Sequence, residues 1–189
     1  LDVLNAGKDL LAEKPFGIDL AAAKTIRDAA KKSGRFVRCS SEFPFLPGAQ
    51  RVFQAAQSGQ FGKLLEIHSS FWHSSDLDPT KPINWKRQNK FCGEIGVMGD
   101  LGMHALHVPL RFGWLPERVY AKLSTIVEQR YNAQAVLVPC TTWDKATLNC
   151  YGESHGQAFP IHLHTSRVAT VEGTSGYRRV FCPQFGGAR

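Results

Sequence analysis

The chain has 189 residues, 43% of them hydrophobic and 21% charged, with a formal net charge of +7; that length holds one good-sized core, or one domain plus part of another. No apolar run approaches the roughly 18 residues needed to cross a bilayer. The positive charge is scattered, densest at Lys31, Lys32, Arg35 and Arg38 with no nucleic-acid-binding module around it, so neither a membrane nor nucleic acid is an expected partner. The five cysteines, Cys39, Cys92, Cys140, Cys150 and Cys182, are irregularly spaced and include no Cys-x-x-Cys pair, which points to free thiols in a reducing compartment, the cytoplasm. Leu1 is preceded by neither an initiator methionine nor the pattern of a signal peptide, and further residues are expected before it.

Residues 8 to 14 place a short apolar core between charges and run into Pro15, the pattern of a short strand ending in a loop. Asp19 is an N-cap for a helix from Leu20 to about Ser33, with Lys31 and Lys32 in its last turn and Gly34 as its stop. A strand, Phe36 to Ser40, follows at once. Strand, helix and strand in so short a span is the rhythm of a parallel α/β unit. Two prolines between Phe43 and Pro47 break that rhythm, and a domain boundary is placed there, dividing the chain into 1–42 and 43–189. A helix from about Gly48 to Ser58 and a strand from Leu64 to Trp72 come next. Residues 74 to 94 form a long polar loop. Its Trp85, flanked by Lys86 and Arg87, offers an aromatic face and cations suited to a hydroxylated, partly anionic ligand, or else pins the loop to the core.

The stretch from Gly99 to Arg111 carries the densest chemistry. On a helix at about 100° per residue, Asp100, His104, His107 and Arg111 share one narrow polar stripe. Met98, Leu101, Ala105, Val108 and Phe112 fill one flank, and Met103, Leu106 and Leu110 the other. A helix apolar almost all round is buried, and buried ionisable groups need partners or a polar cavity. Asp100 and His104 could simply satisfy each other one turn apart. Against that stand Gly99 and Gly102, which allow close approach of backbone or ligand, and Pro109, which is expected to kink or end the helix just past His107. The stripe is therefore the candidate active site.

Strands are expected at 118–127, 141–151 and 159–165, with weaker ones at 167–172 and 177–182. Strands in succession without intervening helices argue for an antiparallel sheet. His162 and His164 alternate on one of them, but with no third ligand at useful spacing no metal site is expected.

Ala6-Gly7-Lys8, Glu13-Lys14-Pro15, the capped helix and strand, Pro47, a helix ending Gly59-Gln60-Phe61-Gly62, and Gly99-Asp100-x-x-x-His104 occur in one order. Over residues 3 to 130 this pattern resembles the glucose-fructose oxidoreductase, inositol dehydrogenase and rhizopine-catabolism (Gfo/Idh/MocA) family of NAD(P)-dependent oxidoreductases. The resemblance implies an α/β protein: the C-terminal part of a Rossmann unit, then an α+β domain built on an open, mostly antiparallel sheet with helices on one face, which often mediates homo-oligomerisation. No Gly-x-Gly-x-x-Gly pyrophosphate turn occurs in the chain, so by itself it is expected to hold NAD or NADP poorly.

Carried over by position, the resemblance makes Lys14 the catalytic lysine and Pro15 a cis proline, and sets Glu13, Lys14 and Pro15 on the cofactor side. Asp100 and His104 become catalytic residues of the substrate site. Trp85, Lys86, Arg87 and His107 are expected to bind substrate, with Trp72 and His73 as further walls of its pocket. His107 stands where many relatives have aspartate, and Pro44 where arginine is common. An imidazole suits removal of a hydroxyl proton and the lysine suits a developing alkoxide. The expected activity is hydride transfer between NAD(P) and a sugar, polyol or related hydroxy compound. Alternatives are an NAD-assisted glycoside hydrolase of the same fold and a non-catalytic oligomerisation module.

Overall fold

The computed structural model describes residues 1–154, 156–169 and 177–178. The chain opens with a single turn, α1 (Asp2–Asn5), followed by β1 (Leu10–Glu13), α2 (Leu20–Ser33) and β2 (Val37–Ser40). β1 and β2 pair in parallel, Leu10 opposite Val37 through Glu13 opposite Ser40. The helix between them begins as its sequence dictates: the Asp19 carboxylate accepts from the Ala22 N–H at 2.7 Å. It ends at Gly34, whose φ of 62° is the left-handed stop that glycine takes without cost.

A 3-10 turn at Phe43–Phe45 leads into α3 (Pro47–Gln57) and then β3 (Ile67–His73). The long segment after β3 is ordered around a 3-10 turn at Trp85–Arg87 and a short α4 (Asn89–Cys92). Arg130, almost fully buried, holds its first part by donating to the carbonyls of Asp76, Asp78 and Lys81 at 2.6 to 2.8 Å.

The helix expected across Gly99–Arg111 is not continuous. It is a π-helical turn at Met98–Gly102, then α5 (Met103–Ala105) and α6 (His107–Arg111), with the break at Leu106. The break falls just before His107 rather than after it, and Pro109 sits inside α6, where its missing N–H leaves the Ala105 carbonyl without a helical donor. The single polar stripe is split accordingly, and Arg111 ends exposed, its guanidinium carbon 4.9 Å above the Phe53 ring.

The main sheet is formed by β3 with β4 (Pro116–Ser124), β7 (Lys145–Ser154), β8 (Gln157–Ser166) and β9 (Tyr177–Arg178), while β5 (Gln129–Tyr131) and β6 (Leu137–Pro139) make a separate hairpin. The strand order is β4-β7-β8-β3-β9. Every pairing in it is antiparallel except β3 with β8, which run parallel from Ile67 opposite Ile161 to Trp72 opposite Ser166. β3 enters beside a strand almost a hundred residues later, a crossover that no local pattern specifies. The expected strand at 167–172 lies partly, and that at 177–182 mostly, outside the described residues.

Period-two alternation sorts the sheet into two faces. Ser69 and Phe71 on β3, Ile161 and Leu163 on β8 and Cys150 on β7 are buried, packing with Val97, Leu101, Ala105, Leu106 and Trp114. His68, His162 and Asn149 lie on the opposite, uncovered face.

Candidate active site

Lys14 follows β1 directly, and its peptide bond to Pro15 is cis. The Lys14 ammonium reaches Asp100 of the π-helical turn, donating to carboxylate Oδ1 at 2.6 Å and to the Asp100 carbonyl at 3.1 Å. Two more cations converge on the same carboxylate: Arg167, at the end of β8, at 2.8 Å, and Lys86 at 3.2 Å. Lys86 is aimed by its own turn. Its N–H is capped by the Asn84 side chain at 2.9 Å, and its carbonyl accepts from Thr142 Oγ1 at 3.0 Å and Arg167 Nη1 at 3.1 Å. Burial alone would raise the Asp100 carboxyl, but the Lys14 hydrogen bond and the charges of Arg167, Lys14 and Lys86 outweigh it and hold the group far below its ordinary range.

This cluster borders two cavities, and Lys14, Lys86, Asp100 and Arg167 belong to both linings. The first, about 470 Å³, adds Glu13 and Pro15 and the apolar surfaces of Ile18, Trp85 and Phe91. The second, about 450 Å³, adds His104, Glu42, Phe43, Phe71, His73 and Arg87. His104 is buried and stacked on Phe43, with ring centroids 3.9 Å apart and planes 18° from parallel. Among the described residues its Nδ1 has no hydrogen-bond partner. Burial first, and the Lys14 charge second, lower its pKa to about 4, so the imidazole is neutral at pH 7.

The structure therefore brings Lys14, Asp100 and His104 to one place, with Lys86 and Arg87 beside them. Glu13, Pro15 and Trp85 sit at the first cavity, not the second. Trp85 is exposed, and the Lys86 ammonium lies 5.5 Å from its ring centre. Arg87 is buried in an ion pair with Asp76, and burial lowers its pKa to about 10. His107 lies outside both linings; its Nε2 is 2.8 Å from Ser41 Oγ at the end of β2. Trp72 points to the uncovered face, its ring edge against His164, whereas His73 lines the second cavity. Arg167 and Glu42 were not singled out by the sequence. Arg167 carries no motif, and it is the packing of β8 against the π-helical turn that brings it to Asp100.

A model of the GFO/IDH/MocA C-terminal domain matches residues 49–177. The chain belongs to the GFO/IDH/MocA family. Among curated proteins it is 26% identical over 175 residues to glucose-6-phosphate 3-dehydrogenase from Bacillus subtilis, covering 91% of this chain and 47% of that protein. It is 24% identical over 185 residues to trans-1,2-dihydrobenzene-1,2-diol dehydrogenase from Macaca fascicularis, covering 95% of this chain and 50% of that one. Among solved structures, an NAD binding oxidoreductase from Klebsiella pneumoniae superposes with a TM-score of 0.78 at 26% identity, over 88% of this chain and 43% of that one. The chain thus spans about half the length of these GFO/IDH/MocA relatives.

Proposed function

We propose that this chain supplies the catalytic lysine and the substrate-binding lobe of an oxidoreductase transferring hydride between NAD or NADP and a sugar, polyol or related hydroxy compound. The observation that carries the reading is the Lys14–Asp100 contact, made across 86 positions of sequence, at a wall shared by an apolar-sided cavity and one lined by His104. The relatives' names, dehydrogenases of a sugar phosphate and of a diol, support it. A domain division at 1–42 and 43–189 follows the same reading.

The first cavity fits the nicotinamide end of a dinucleotide: Ile18, Trp85 and Phe91 offer apolar surface to a flat ring, with Lys14 in the same lining. When bound, the nicotinamide would supply the hydride chemistry. Glu13 and Pro15 shape that entrance. On the other side, neutral His104 can accept the hydroxyl proton. The Lys14 ammonium stabilises charge developing on the oxygen. Asp100, kept ionised by its three cations, holds the Lys14 amine in place, and Phe43 and Phe71 keep water from the imidazole.

Among the described residues five cationic side chains, Lys14, Lys81, Lys86, Arg87 and Arg167, line the second cavity against three carboxylates, Glu42, Asp76 and Asp100. Lys81 has no carboxylate partner among the described residues and donates to the Ser75 carbonyl at 2.9 Å. That surplus favours a substrate carrying a carboxylate or phosphate in addition to its hydroxyls. Self-association through the sheet domain, at the edge strand β4 where Val119 and Tyr120 are 54% and 70% exposed, completes the reading. A reducing, cytoplasmic setting suits the four unpaired cysteines among the described residues.

The test is a panel of neutral and anionic sugars and polyols, offered with NAD and NADP to the protein extended at its N-terminus through a dinucleotide-binding domain. Net NADH or NADPH should accumulate with at least one of them. Release of free sugar without net reduced cofactor would replace the reading with an NAD-assisted hydrolase, and no turnover by a well-folded oligomer would replace it with an assembly module.

A further inference from the structure

On the uncovered face of the sheet, away from Lys14 and Asp100, Glu66, His68 and His162 each offer one ligand atom, and the three atoms lie within 4.8 Å of one another. The placement follows from strand geometry. Glu66, the residue just before β3, is two positions from His68 and its carboxylate reaches the same side, and the parallel register sets His68 directly beside His162. The two imidazoles stack, with centroids 4.7 Å apart and planes 26° from parallel. His68 Nε2 stands 3.2 Å from Glu66 Oε1.

A fourth residue orients the set. Asn149 of β7 is in register with His162, and the Asn149 Oδ1, an acceptor only, lies 2.8 Å from His162 Nδ1. Nδ1 therefore carries the proton, which leaves Nε2 with its lone pair. This is the arrangement by which a neighbouring acceptor fixes the tautomer of a metal-bound histidine.

We propose that Glu66, His68 and His162 form a surface site for a divalent transition-metal ion of the zinc class, with Asn149 as the positioning residue. Two imidazole nitrogens and one carboxylate oxygen match zinc and its neighbours, and disfavour calcium and magnesium, which prefer all-oxygen shells. Around a tetrahedral ion with bonds of about 2.1 Å the ligand atoms stand about 3.4 Å apart. The set must therefore draw in, and the two stacked imidazoles must rotate so that their in-plane lone pairs converge on the ion. The Glu66 and His68 side chains, 40% and 45% exposed, have room to do so. The ion takes the place of the hydrogen bond between His68 and Glu66, and its remaining position is open to water.

The experiment is a calorimetric titration of the tag-free, metal-stripped chain with Zn²⁺, repeated for His68→Gln, His162→Gln, Glu66→Gln and Asn149→Ala, with Co²⁺ absorption as a second readout. One ion per chain is expected, with affinity reduced at least tenfold in each histidine variant and roughly tenfold in Asn149→Ala. The visible bands of four-coordinate Co²⁺ should vanish in His162→Gln. All four positions are on the uncovered face, and melting of the metal-free variants should match the parent, which separates lost binding from lost folding. Absence of Zn²⁺ binding by the parent, or binding unchanged in both histidine variants, overturns the proposal.

Discussion

The Ser69 hydroxyl donates to the Ala105 carbonyl at 2.7 Å, and that carbonyl is the one Pro109 leaves without a helical N–H. β3 thereby repairs the break in the segment that carries Asp100 and His104. Ser69→Ala strands a buried acceptor and should cost about 1–3 kcal/mol in chemical denaturation. Pro109→Ala in the same chain returns an N–H to the helix. The double variant should be destabilised less than Ser69→Ala alone, and equal or greater loss would show that the two residues act independently.

Gly93 sets the approach of the Lys14 loop to the rest of the site. Its φ of 75° is left-handed, and a Cβ built on it would run into the Ile18 carbonyl, a backbone atom that cannot swing aside. Gly93→Ala should lower stability by about 1–3 kcal/mol and raise hydrogen exchange in the loop from Lys14 to Ile18. An unchanged exchange pattern would remove Gly93 from the account of how Lys14 is positioned.

His104 links the site to pH. Burial lowers its pKa to about 4 from an ordinary 6.5, so between those values the unfolded chain binds the proton and the folded one does not. Stability therefore falls as the pH drops from 6.5 to 4, by about 3 kcal/mol from this residue, and levels off below. His73, His107 and His164 are lowered by burial too, so the comparison must be made against a single variant. His104→Gln should flatten the decline by roughly that amount in denaturation curves across the range. Parallel curves for parent and variant would contradict the burial of a neutral imidazole.

Lys81 provides the sharpest check on substrate charge. In the N-terminally extended protein, Lys81→Met should raise KM for an anionic sugar about tenfold while leaving kcat near the parent value, and should change a neutral sugar little. An equal effect on both substrates would mean that Lys81 contributes only to the loop.

Much of this was legible in the sequence because it is local. Asp19 and Gly34 mark the helix between β1 and β2, alternation in Phe159–Thr165 gives the buried face of β8, and Lys14-Pro15 and Gly99-Asp100 carry the candidate site in short motifs. Partners distant in sequence were not legible. Alternation says which side chains share a face but not which strand lies alongside, so the parallel pairing of β3 with β8 was not foreseen. With it went the approach of His68 to His162, and the packing of β8 on the π-helical turn, which carries Arg167 to Asp100, was equally out of reach of a local pattern. The break at Leu106 was misplaced for a related reason. A proline inside a helix can be accommodated when a neighbour such as Ser69 takes over the freed carbonyl, and that neighbour is 36 residues away.

The central claim is that Lys14 and His104 act together on a substrate hydroxyl. Its most direct test is the single-turnover rate of nicotinamide reduction by the N-terminally extended protein, measured on the best substrate of the panel for the parent, Lys14→Met and His104→Gln. Each variant should lose roughly 10²–10⁴ in rate and the double variant little more than the worse single one. Rates at the parent level in both single variants would contradict the assignment of this site.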